Sequence, residues 1–77
     1  MDISVVVPCY NEQDNIAEIY ERLIKTFNKN KLELDKIILI DDGSRDDTWK
    51  KITQLQQLNK KEILGIKFSR NFGHQNA

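Results

Sequence analysis

One cysteine, one proline, one histidine and three glycines are all that this 77-residue chain has of those residues. A single cysteine excludes an internal disulfide and gives no metal-ligand spacing; a reducing cytosolic setting fits it. Neither sign of charge dominates. Twelve basic side chains balance twelve acidic ones, so no global field draws the chain to nucleic acid or to a membrane surface. No apolar run approaches the ~18–20 residues that span a bilayer. Met1-Asp2 leads directly into β-prone residues without a basic segment, so no signal peptide is expected. The first turn also lacks any Gly-x-Gly-x-x-Gly, which argues against a dinucleotide-binding unit. There is no repeat, low-complexity tract or interdomain linker. A chain of this length makes at most one small domain and buries only roughly 60–65% of its unfolded surface.

What is present alternates between two hydrophobic periods. Ile3 to Val7 is short, β-branched and apolar at nearly every position, the pattern of a strand buried between helix layers, with Pro8 ending it. From about Glu12 the apolar residues Ile16, Ile19, Tyr20, Leu23, Ile24 and Phe27 fall on one helical stripe. Asn11 is the expected N-cap, with Glu12 and Asp14 in the first turn suiting the helix dipole. Asn28 to Lys31 should close that helix. Lys36 to Ile40 reads as a second buried strand running into Asp41. Gly43 supplies a turn, and Ser44 or Asp46 can cap a second helix whose Trp49, Ile52, Leu55 and Leu58 face the sheet. Ile63 to Phe68 reads as a third strand, and residues 69–77 begin a loop and a further helix. The order β-α-β-α-β with short connections implies right-handed crossovers and a parallel sheet.

Ligands of open α/β sheets gather at the carboxyl ends of the strands. Here those ends carry Pro8-Cys9-Tyr10-Asn11-Glu12 and Asp41-Asp42-Gly43-Ser44. Each has a plain reading beside a functional one. Asp41 and Asp42 could make an Asx-turn that caps the next helix; Tyr10 could be packing, and Glu12 a dipole partner. Asp46 and Asp47 read as caps, Arg70 as a loop charge, His74 as a hydrogen-bonding loop residue, Trp49 as packing and Cys9 as a packed thiol. Paired acids at strand ends also occur in phosphoacceptor receiver modules. Such a module needs another Asp after the third strand, where this chain has Phe68-Ser69-Arg70.

Three motifs together are more specific. Pro8 to Glu12, Ile40-Asp41-Asp42-Gly43-Ser44-Arg45-Asp46-Asp47-Thr48, and Ser69-Arg70-Asn71-Phe72-Gly73-His74-Gln75-Asn76-Ala77 resemble the start of the inverting family-2 glycosyltransferases. The nearest subgroup is the polyprenyl-phosphate sugar transferases, related to dolichol-phosphate mannosyltransferase and bacterial undecaprenyl-phosphate glucosyltransferases. The resemblance covers the whole chain. It implies an α/β fold in which residues 1–77 are the nucleotide-binding half of a GT-A, Rossmann-like domain, truncated before its remaining strands. It also implies roles. Tyr10 would stack on the base, with Pro8, Glu12 and Ile40 walling the base and ribose pocket. Asp42 would accept a hydrogen bond from a base N–H, with Asp41 beside it. Arg70 would lie near the phosphates or the acceptor.

The donor implied is a UDP- or GDP-linked sugar and the acceptor a polyprenyl phosphate, with no nucleic acid. Intact relatives would work from the cytoplasmic face of a membrane. The family's Asp-x-Asp motif, which holds Mg²⁺ or Mn²⁺ against the diphosphate, does not follow Phe68, so the cation ligands are absent from this chain and no catalytic residue is assigned in it. A non-catalytic nucleotide-binding fragment or an inactive remnant is the alternative. The family's sheet order also leaves the first strand as an open edge here, with self-association as the expected consequence.

Overall fold

The computed structural model describes residues 2–68. Five elements follow in the expected order: β1 (Asp2–Cys9), α1 (Ile16–Lys29), β2 (Glu33–Asp42), α2 (Thr48–Leu58) and β3 (Ile63–Phe68). The strands form one parallel sheet in the order β1-β2-β3. Both crossovers step the same way across the sheet, and right-handed connections of that kind place both helices on one face. That face holds the core. Ile16 of α1 and Ile52 of α2 pack on Cys9, Ile37, Leu39 and Ile63, flanked by Tyr20, Leu23, Ile24, Trp49 and Leu55.

The opposite face has no helix on it among the described residues. β1 alternates between exposed and covered positions along its length, and Val6 is 57% exposed. Leu64 and Phe68 of β3 are exposed on the same side. β1 is therefore a half-covered strand rather than one buried between two helix layers, as its apolar run had suggested. Pro8 does not end it either. The strand continues to Cys9, paired with Asp41, and its place at the margin of the sheet tolerates a residue without an N–H.

Other boundaries differ for local reasons. β2 is longer than Lys36–Ile40 because pairing with β1 recruits Glu33 and Leu34 at its start. α1 begins at Ile16 with Asn15 at its N-cap, since Asn11 adopts φ 52° and is used elsewhere. Leu58, expected on the sheet, ends α2 at 82% exposure; six residues past Ile52, the helical rotation has carried it off the buried stripe.

Gly65 is required by close approach rather than by its dihedral angles. A Cβ there would lie 2.7 Å from Ile52 Cγ2 and 2.9 Å from Gln56 Oε1. The Gly65 N–H donates to that same Gln56 Oε1 at 2.6 Å, so α2 is drawn against β3 at this point. Ile52 is fully buried and has no room to retreat. Gly65→Ala is expected to destabilise the chain by about 1–3 kcal/mol through overpacking, read as a lower urea midpoint at unchanged slope. An unchanged midpoint would mean that α2 does not sit this close.

Candidate nucleotide site at the strand ends

Parallel pairing sets Cys9 beside Asp41 and Pro8 beside Ile40, so the two signature segments leave the sheet as neighbours. Alternation along the strands then sorts their side chains. Cys9 and Asp41 point to the helical face and are buried. Pro8, Ile40 and Asp42 fall on the opposite, helix-free face, with Pro8 and Asp42 exposed and Ile40 half-buried. Tyr10, directly past the end of β1, is 43% exposed and so is not core packing.

The paired acids therefore occupy unlike environments. Asp41 is 1% exposed, and its Oδ1 accepts the Ser44 N–H at 2.9 Å, closing the turn through Gly43 at φ 73°. Its Oδ2 accepts no hydrogen bond from the described residues. Asp41 thus has the turn-making role that was its plain alternative, while Asp42 alone stands at the surface. Glu12 is half-buried, with Oε2 accepting from Asn15 Nδ2 at 2.9 Å. Arg70 and His74 lie outside the described residues.

The two loops are joined through polar groups that pattern reading did not bring together. The Asn11 N–H donates to Ser44 Oγ, and Asn11 Oδ1 accepts the Arg45 N–H, both at 2.9 Å. The Glu12 N–H donates to Thr48 Oγ1 at 2.8 Å, and Gln13 Oε1 accepts the Asp47 N–H at 2.8 Å. Asp46 Oδ2 accepts the Gln13 N–H at 3.4 Å, while Oδ1 accepts the Thr48 N–H at 2.9 Å and the Thr48 hydroxyl. The sequence offers Ser44 or Asp46 as the cap of α2. Asp46 does take up the first backbone N–H of the helix, but Ser44 serves the other loop, and the N-cap residue Asp47 makes no side-chain cap bond. The partners that join one loop to the other lie more than thirty residues apart, so no local spacing could have announced them.

Electrostatics at the site are modest. Burial costs the Asp46 carboxylate something, but hydrogen bonds from the Thr48 hydroxyl and from the Thr48 and Gln13 amides outweigh it and lower its pKa. The Cys9 thiol is pushed up to about 11, by burial first and then by the nearby Glu12 and Asp41 charges. A raised thiol pKa leaves stability untouched below pH 9 and erodes it as pH rises through about 11. Cys9 should therefore resist iodoacetamide in the folded chain at pH 8 and react once urea unfolds it. Labelling at the same rate in both states would contradict its burial.

The described acids do not form a cation site. Asp41 is buried and tied to Ser44, and Asp46 is committed to Thr48 and Gln13. Among the described residues no three His, Cys, Asp or Glu side chains converge to hold a metal. A groove of about 380 Å³ lies between the helices, lined by Gln13, Asp14, Ile16 and Ala17 with Lys51, Gln54, Leu55 and Leu58. It presents no aromatic face. Among the described residues no helix is long and apolar enough to cross a membrane.

Comparison with known proteins follows the same lines. The sequence model of glycosyl transferase family 2 matches residues 4–77. An uncharacterized glycosyltransferase of Synechocystis sp. is 36% identical over all 77 residues, which are 24% of its own length. An undecaprenyl-phosphate 4-deoxy-4-formamido-L-arabinose transferase of Proteus mirabilis is 33% identical over 97% of the chain, and its Klebsiella pneumoniae counterpart 35% over the same share. The chain spans about a quarter of the length of these relatives. With a family match over nearly every residue and a parallel β-α-β-α-β sheet beneath it, the chain belongs to glycosyl transferase family 2.

Proposed function

We propose that residues 1–77 are the N-terminal, nucleotide-sugar-binding portion of a glycosyltransferase that passes a sugar from a UDP- or GDP-linked donor to a polyprenyl-phosphate carrier at the cytoplasmic face of a membrane. The observation that carries the donor half is the sorting of Pro8, Ile40 and Asp42 onto one face of the sheet, with exposed Tyr10 at the end of the adjacent strand. In this reading Tyr10 offers a stacking surface to the base, Pro8 and Ile40 give apolar walls, and Asp42 accepts a base N–H. Glu12 completes the ribose side. Arg70 would meet phosphate as a planar fork, and Asp41 serves the pocket by shaping the turn that presents Asp42. The acceptor half rests on the Proteus and Klebsiella relatives, both undecaprenyl-phosphate 4-deoxy-4-formamido-L-arabinose transferases.

In this reading a divalent cation draws its ligands from residues beyond those described, among which no three His, Cys, Asp or Glu side chains converge. Titration of the chain with UDP-, GDP- and TDP-sugars, with and without Mn²⁺, tests this reading. Weak, saturable binding that is indifferent to Mn²⁺ is expected. Absence of binding to all three donors would favour the inert alternative.

A further inference from the structure

The hydroxyl of Thr48 lies where the two signature loops meet. Thr48 is fully buried, its Oγ1 accepts the Glu12 N–H at 2.8 Å, and its hydroxyl proton goes to Asp46 Oδ1. Asp46 in turn accepts the Gln13 N–H. The backbone on the far side of Tyr10 is therefore not held by its own sheet. Its Asn11 adopts φ 52°, and the amides of residues 11–13 are satisfied by side chains of the β2–α2 segment. On the near side, Cys9 is anchored in the sheet against Asp41.

We propose that Thr48 and Asp46 are positioning residues for nucleotide binding: they touch no ligand, but clamp the Tyr10–Gln13 loop to the turn that carries Asp42. The inference rests on the nucleotide-binding reading above. A buried hydroxyl with both its hydrogen-bonding capacities used cannot be removed quietly. Without it the Glu12 N–H and one Asp46 bond are left unmade in a desolvated place, and the loop is released from the spacing that the ligand requires. The clamp thus joins the aromatic and carboxylate halves of the pocket into one unit.

The test uses the 77-residue chain with UDP and GDP as probes, by equilibrium dialysis, and hydrogen exchange followed by mass spectrometry. Thr48→Val removes the hydroxyl at nearly constant shape, Thr48→Ser restores it, and Ile63→Val thins the buried core without touching the clamp. For Thr48→Val we expect faster exchange across residues 10–13 with protection of 37–39 unchanged. We also expect roughly tenfold weaker nucleotide binding, which is about 1.4 kcal/mol. Thr48→Ser should bind within about twofold of the parent chain, and Ile63→Val should lower the melting temperature while leaving affinity in place. Unchanged affinity in Thr48→Val, or an equal loss in Ile63→Val, would overturn the clamp alone. A parent chain that binds neither UDP nor GDP would overturn the nucleotide reading and the clamp with it.

Discussion

Asp42→Ala is expected to weaken nucleotide binding by roughly 1.5–3 kcal/mol, the worth of a hydrogen bond to a charged acceptor once the bound base covers it from solvent. Asp47→Ala should change it little. The two residues are close in sequence and alike in chemistry, but the fold separates them. Asp42 ends β2 on the helix-free face, one residue past the buried Asp41 and in register with Phe68. Asp47 sits at the N-cap of α2, exposed, with its side chain outside any cap bond. Its backbone N–H bonds Gln13, and that contact survives truncation of the side chain. Calorimetric titration with UDP- and GDP-sugars distinguishes the pair. Equal affinities in the two variants would remove Asp42 from the site.

The second large effect concerns the chain's own surface. Val6, Leu64 and Phe68 stand exposed on the helix-free face, and among the described residues β1 has no strand beside it on the side away from β2. An open edge of eight residues with an apolar face is a template for pairing with another chain. Its only acid is Asp2, at the extreme start. The polypeptide alone is therefore expected to self-associate, and a small core leaves only a few kcal/mol to resist unfolding along that route. Val6→Lys combined with Leu64→Lys places two charges on that face and should shift sedimentation towards monomer. A parent chain that sediments as a single monomer and melts sharply would show that the edge and face are harmless.

Much of this was legible because short apolar, β-prone runs announce strands even where one face stays open. Ile63–Phe68 was bounded correctly by its apolar composition, and the alternation of periods gave the element order and the parallel sheet. Boundaries that depend on partners were not legible. The sequence around Pro8 reads as a strand end until pairing of Cys9 with Asp41 carries β1 past it. Leu58 continues the three-residue spacing of Ile52 and Leu55, yet that spacing drifts around the helix and leaves it in solvent. At the site, the Asp41-Asp42 pair was conspicuous, but only strand alternation separates a buried turn-former from a surface carboxylate. The links from Asn11, Glu12 and Gln13 to Ser44, Asp46 and Thr48 form across the sheet's end. Asn11, Ser44 and Asp46 each look, alone, like an ordinary cap. Gly65 was silent for the same reason, since the methyl group of Ile52 that excludes a Cβ comes from another element.

The most direct test of the account is to locate bound nucleotide residue by residue, by amide chemical-shift mapping of the ¹⁵N-labelled chain titrated with UDP and with GDP. The strand-end reading predicts the largest shifts at Tyr10, Asn11, Asp42 and Gly43, with little change along α2. Shifts concentrated instead on Ala17, Lys51, Gln54 and Leu58 would place the ligand in the groove between the helices and contradict it.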